Sequence, residues 1–268
     1  MIPSSALHAL RRLFAVLFAA FMLLPLAVVL VASFTNESFV RFPPQSFGLR
    51  WYWEALSNKA FVDGFLFSIQ VAAAVAIVSG VLGVTAALVV ARTPFAGRDA
   101  IVNLLMMPLA LPHIVLALAL IQFFGTLALA TSPYALVVGH VLITSPYVMR
   151  LTMTSLFGLD RQFERASASL GASDWTTFRL VTLPLIAPGV VAGVMFAFLL
   201  SFDEVTISLF TAMPGRTTLP AEVFNFASQG SDPVITAVSG LMIIVAGLFV
   251  VLVEASFGAL RLIANENR

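Results

Sequence analysis

Six stretches of this chain are each long and apolar enough to cross a lipid bilayer, and no other feature constrains its fold as much. They cover roughly residues 13–34, 64–91, 100–125, 134–157, 185–210 and 233–257. A hydrocarbon core ~30 Å thick needs about 20 apolar residues in a helix. In lipid every backbone N–H and C=O must be bonded internally, which selects helices here. The composition agrees, since 60% of the 268 residues are apolar and only 10% are charged. A water-exposed domain of this length could not hide so much apolar side chain, because its surface needs polar cover. The chain therefore reads as an all-α polytopic membrane protein, one transmembrane domain over 1–268 with six transmembrane helices embedded in the lipid bilayer. A soluble enzyme and a disordered chain are excluded. A net charge of +1 leaves no basic footprint, so no nucleic acid is expected as a partner. The absence of cysteine removes disulfides and thiolate chemistry. His8, His113 and His140 are too scattered for a metal-ligand spacing, and no metal is expected.

Arg11 and Arg12 precede the first stretch, as in a signal peptide. That stretch is about twice the usual apolar length, and no small-residue cleavage site follows it, so it is expected to be retained. Charge sets the orientation. With the N-terminus inside, the cytoplasmic face collects Arg11, Arg12, Arg92, Arg98, Arg150, Arg161, Arg165, Arg179, Arg261 and Arg268, leaving Arg41, Arg50, Lys59 and Arg216 outside. Six crossings then place both termini in the cytoplasm. The external segment 35–63 carries Pro43-Pro44 and Trp51-Tyr52-Trp53, which suits either an amphipathic interfacial segment or an ordinary aromatic anchor. Gly80, Gly83, Thr85 and Ala86 would let helices approach closely. Gln70, Asn103, Gln122 and His140 suit hydrogen bonds between helices. Tyr147 and Arg150 are expected near the inner face, with Arg150 snorkelling to the interface. Pro108, Pro112 and Pro146 have no counterparts in the other half, so the paired broken segments of an inverted-repeat carrier are not visible.

The cytoplasmic loop 158–183 is the most informative segment. Residues 160–170 suit a short helix with Asp160 in its first turn. Gly171 can take positive φ and end it. Ser173 is a fitting N-cap for a second helix carrying Trp175, Phe178 and Val181, and Pro184 then opens the fifth span. Small residues Ala166, Ser167, Ala168 and Ser169 beside Phe163 and Leu170 fit either a seat in another protein's groove or packing on the chain's own bundle.

Gly171, nine residues, Val181, one residue and Leu183-Pro184 resemble the loop motif of binding-protein-dependent ABC importer permeases of the type I class. In that family the motif reads Glu-Ala-Ala, three residues, Gly, nine residues, Ile, one residue, Leu-Pro. The likeness extends to Leu49-Arg50-Trp51-Tyr52, to Ser201-Phe202-Asp203-Glu204-Val205 and to Thr218-Leu219-Pro220, which are most similar to the second permease subunit of spermidine/putrescine importers. The resemblance implies a type I permease bundle in a bacterial inner membrane. It implies a cytoplasmic ABC ATPase dimer that binds ATP and Mg, with no cofactor on this chain. A second permease subunit, a different chain, and a periplasmic or extracellular substrate-binding protein complete the implied assembly. It also implies that Phe163, Glu164, Arg165, Ala166, Ser167, Leu170 and Gly171 form the contact through which the ATPase drives transport. The chain lacks a G-x-x-x-x-G-K-[ST] loop of its own. One departure stands out: Arg165 holds the motif's glutamate position, and the carboxylate sits one residue earlier at Glu164. One residue turns a side chain by about 100° around a helix, so Arg165 is free to meet an acidic groove in its place.

Charged residues at membrane depth are expensive and mark function by default. Asp203 lies about 27 Å along a helix starting near residue 185, at ~1.5 Å per residue. Asp203 and Glu204 are either hydrated acids at the outer interface or acids lining a pathway for a cation. His113, after Pro112 in the third span, either lines the pathway or bonds a carbonyl freed by the prolines. The expected function is the permease subunit of an importer for a small cationic solute, a polyamine first. The alternatives are an amino acid, opine, aminophosphonate or ferric iron importer, or an autonomous secondary carrier. Enzyme chemistry is not expected.

Overall fold

A computed structural model describes residues 4–211, 213–230 and 232–266. Arg268, counted above among the inward charges, lies outside them. The described chain is helical: α1 Ser4–Ser33, α2 Arg50–Ser57, α3 Lys59–Arg92, α4 Arg98–Met106, α5 His113–Thr126, α6 Pro133–Phe157, α7 Gln162–Ser169, α8 Asp174–Thr177, α9 Leu183–Asp203, α10 Thr206–Phe210, α11 Leu219–Gln229 and α12 Pro233–Glu266. Among the described residues the only β pairing is two isolated bridges, Thr35 with Phe47 and Met213 with Arg216. Five helical runs have the length and apolarity to cross a membrane: Leu10–Ser33, Lys59–Arg92, Pro133–Phe157, Asp174–Asp203 and Pro233–Ala255. Arg98–Ala110 with His113–Thr126 supplies a sixth when the bent pair counts as one span.

Two spans depart from the sequence expectation. The third, expected as one helix over 100–125, is broken and bent by 102°. The cause is local. Met107–Ala110 tightens into a 3₁₀ turn around Pro108, and Leu111, forced out of helical geometry by Pro112, is extended at φ −90° and ψ 137°. His113 therefore opens a new helix instead of sitting inside a continuous one. The fifth span, expected to run to residue 210, stops at Asp203, because Glu204 turns to ψ 115° and the chain restarts as the short α10. At its other end this run continues back through α8. The turn Phe178–Thr182 widens so that the Leu183 N–H reaches the Phe178 carbonyl, five residues back. That wider turn carries Pro184, which has no N–H, into the helix without ending it.

The chain forms two compact units, one running to Val62 with Val223–Val251 and the other Asp63–Glu222 with the segment from Leu252 onward. In the first, Trp51 and Tyr52 of α2 are buried, while Trp53 is exposed. The Tyr52 hydroxyl meets Ser33 Oγ at 2.6 Å, and the Trp51 indole N–H donates to the Glu37 carbonyl at 2.9 Å. Two residues of the aromatic run thus brace the fold, and Trp53 is left free to serve as an interfacial anchor. Gly240 of α12 sits against the same Ser33 and Tyr52, where an added Cβ would lie 2.8 Å from Ser33 Oγ.

The second unit is built on α3, α6 and α9. Ala87 and Val90 of α3, Met149 and Leu156 of α6 and Ile186 of α9 form one buried cluster. Small residues set its spacing: a Cβ on Gly83 would come within 2.6 Å of Val148 Cβ, and one on Gly193 within 2.9 Å of Val148 Cα. Without such residues the backbones could not approach this closely. A second cluster joins α5, α6 and α10 through Leu116, Leu120, Phe124, Ile143 and Ile207. Of the intramembrane polar residues, His140 is buried, whereas Gln70, Asn103 and Gln122 are exposed.

Candidate functional site

Two polar regions of the second unit carry the chemistry, and each depends on a break in a helix. The first lies where α9 ends. Glu204 is 6% exposed, and its carboxylate is fully engaged. Oε2 accepts from His113 Nδ1 at 2.9 Å, and Oε1 accepts from the Ile207 backbone N–H at 3.0 Å. The second bond satisfies a first-turn donor of α10, so Glu204 both leaves α9 and starts the next helix. His113 can reach it because the proline break places the imidazole at the first residue of α5. There the helix dipole also favours a nearby anion. The imidazole itself remains 40% exposed. Asp203, one residue earlier, is exposed. The geometry therefore brings Glu204 and His113 together and leaves Asp203 exposed.

A buried histidine holds this turn in place. His140 of α6 contacts Ser201 Oγ through Nδ1 at 2.8 Å and Ser208 Oγ through Nε2 at 3.2 Å. Ser208 donates its proton to the Glu204 carbonyl at 2.9 Å. Its oxygen must then accept from Nε2–H, which leaves Nδ1 to accept from Ser201. One imidazole thus links the last turn of α9 to α10, across the residue whose carboxylate meets His113. Thr144 extends the network, donating to the His140 carbonyl at 2.8 Å and touching Ser79 of α3 at 2.6 Å.

The second region is the loop expected to meet an ATPase. It folds as helix, turn, helix. Leu170 closes α7, Gly171 adopts φ +83°, and Ser173 Oγ accepts the Thr176 N–H at 3.3 Å to cap α8. The loop residues divide by direction. Phe163, Ala166 and Leu170 lie on one exposed stripe at helical spacing, with Leu170 90% exposed. Arg165 is exposed as well. Glu164 and Ser167 point the other way. Glu164 Oε1 accepts from Arg92 at 2.8 Å and from Thr182 Oγ1 at 2.8 Å, while Ser167 Oγ meets Thr177 Oγ1 at 2.9 Å.

Sequence reasoning named His113, Asp203, Glu204 and the seven loop residues. It missed Arg92 and Thr182 as the partners of Glu164, and Ser201 and Ser208 as the partners of His140. A basic residue closing one span and an acid in a loop on the same face were the available signal for Arg92. Among the described residues no three His, Asp or Glu side chains gather as a metal site would require.

The fold is thus that of a multi-span helical membrane protein, broken beside an acid–histidine pair and carrying a helix–turn–helix between two spans. The chain belongs to the family described as binding-protein-dependent transport system inner membrane component, whose profile matches residues 79–263. That membership makes it a transport component of an ABC importer, not an enzyme. It is 28% identical over 243 residues to the spermidine/putrescine transport system permease protein PotC of Haemophilus influenzae, covering 91% of this chain and 94% of that one. It is 32% identical over 235 residues to the putrescine transport system permease protein PotI of Escherichia coli K12, covering 85% and 83%. In fold it resembles a chain of the bacterial alginate ABC transporter crystallised with an alginate pentasaccharide-bound periplasmic protein. That match has a TM-score of 0.71 at 12% identity and covers 92% of both chains.

Proposed function

We propose that this chain is one permease subunit of an ATP-driven importer for a polyamine such as spermidine or putrescine, in a bacterial inner membrane. The observation that carries the substrate reading is the exposed Asp203 carboxylate at the end of a membrane-length helix, beside a buried acid already hydrogen-bonded to His113. An uncommitted acid at that depth favours a di- or trication over a neutral or anionic solute. PotC and PotI, the named relatives, support the same reading.

The mechanism follows from the two regions. Both termini and the α7–α8 loop lie in the cytoplasm, on the side favoured by the arginines. The exposed stripe of α7 seats in a cleft of an ATPase dimer, which binds ATP and Mg; this chain binds neither. Closure of that dimer rocks this subunit against a second, different permease chain, and the pathway opens alternately to either side. An external binding protein delivers the polyamine to the outward-facing state. Asp203, with His113 and Glu204 beside it, forms part of the cation's path.

Asp203→Asn tests the substrate reading. Loss of one charge-assisted contact, about 1.5–3 kcal/mol, should raise KM for spermidine at least tenfold while assembly and basal ATP hydrolysis persist. Unchanged uptake kinetics would make Asp203 an interfacial acid only. A zwitterionic amine is the second reading, favoured by the half-exposed imidazole of His113, which can face an acidic group on a solute. Competition of spermidine uptake by a zwitterionic amine and not by putrescine would select it.

A further inference from the structure

Glu164 is the only acid in α7, yet it does not share that helix's outward face. Its carboxylate is turned back into the protein and is about one-fifth exposed, as is the Arg92 side chain it meets. One oxygen, Oε1, accepts from both Arg92 and Thr182. Arg92 is the last residue of α3 and Thr182 the residue before α9. A single atom of the loop is therefore bonded to the ends of two membrane helices. A second tie lies alongside: Arg161 Nη2, just ahead of α7, donates to the Ala91 carbonyl at 3.0 Å. Ser167 adds a third, to Thr177 of α8. Arg165, at the position where the family's motif has its acid, is left facing outward.

Resting on the reading that α7 is the ATPase-docking helix, we propose that Glu164 is a positioning residue. It makes α7 move with α3 and α9 as one piece, and the electrostatic contact to the ATPase passes to Arg165, which fits an acidic site on that partner. Three observations converge on this. The carboxylate is occupied by internal donors. Those donors belong to two different membrane helices. The charge left exposed on α7 is positive. A helix held only by flexible turns would swing in its socket when the ATPase closes, and the motion would not reach the spans. A helix tied at both Arg92 and Thr182 passes that motion to the α3–α6–α9 bundle.

The test uses the full importer, with its ATPase, second permease and binding protein, in proteoliposomes. Retention of the ATPase, ATP hydrolysed and solute transported are measured together. Glu164→Ala and Arg92→Ala should each retain the ATPase and lower solute moved per ATP about fivefold or more, the low end of a 1–3 kcal/mol coupling. Glu164→Arg should uncouple, and adding Arg92→Glu should restore the ratio by re-forming the pair with its charges exchanged. Wild-type coupling in Arg92→Ala, or loss of the ATPase from Glu164→Ala but not from Arg92→Ala, would overturn the proposal and make Glu164 a direct contact. Leu170→Asp, on the exposed stripe, separates the two levels. If it releases the ATPase while the Glu164 and Arg92 variants stay coupled, only the strut fails. If it leaves binding and coupling intact, the docking reading fails and the strut with it.

Discussion

Gly83→Ala isolates the packing on which the central bundle depends. An alanine there would place its Cβ 2.6 Å from Val148 Cβ and 2.8 Å from the Met149 backbone nitrogen. Ordinary contact begins near 3.4 Å, so α3 and α6 would have to part by several tenths of an ångström. Val148 has little room to retreat, because α9 also approaches it at Gly193, where an added Cβ would be 2.9 Å from Val148 Cα. Overpacking of this kind costs about 1–3 kcal/mol. For a chain of this size that corresponds to roughly 2–12 °C in melting temperature. The assay is thermal unfolding of the detergent-solubilised chain, followed by tryptophan fluorescence. Gly125→Ala is the control, since nothing lies within 4 Å of a Cβ built there. It should melt at or slightly above wild type, because alanine favours helix over glycine. Adding Val148→Ala to Gly83→Ala should recover part of the loss, as expected for residues that share one contact. If Gly83→Ala and Gly125→Ala melt alike, the seam is not close-packed and the argument for rigid transmission through it fails.

Two further predictions follow from the polar sites. His140→Ala would leave Ser201 without the imidazole, at about 1–3 kcal/mol for a buried group left unsatisfied, while Ser208 keeps its bond to the Glu204 carbonyl. It should lower both thermal stability and spermidine affinity, and His140→Gln, which can both donate and accept, should recover part of each; equal affinity in wild type and His140→Ala would remove His140 from the site's support. Gly171→Trp forces a bulky residue to φ +83°, a cost of about 1–2 kcal/mol, at a loop tip where nothing crowds its Cβ; the chain should still fold, but ATP hydrolysis should no longer respond to substrate, and intact stimulation would place docking elsewhere.

Much of the architecture was legible because it follows from local chemistry. Apolar length marked the membrane helices. Gly171 and Ser173 marked the turn and cap of the loop through backbone and side-chain preferences that need no distant partner. Prolines 108 and 112 signalled a disturbance in the third span, but not the 102° size of its bend. The site was half legible. His113, Asp203 and Glu204 stood out as ionisable groups in apolar surroundings. That Glu204 would turn inward and Asp203 outward was not readable, because the decisive contact joins residues 91 apart in sequence. The Glu164–Arg92 pair spans 72 residues, and His140 reaches its serines across 61 and 68. Periodicity says which face a residue shares with its helical neighbours. It does not say which distant helix will arrive there.

As proposed above, this chain is the passive half of an ATP-driven pathway for a polyamine. Reconstitution in proteoliposomes, with and without the ATPase and with radiolabelled spermidine as solute, tests it directly. Accumulation should require the ATPase, enclosed ATP and the binding protein, and should not respond to an imposed proton or sodium gradient. Spermidine accumulation by this chain alone, driven by such a gradient, would contradict the account and identify a self-contained carrier.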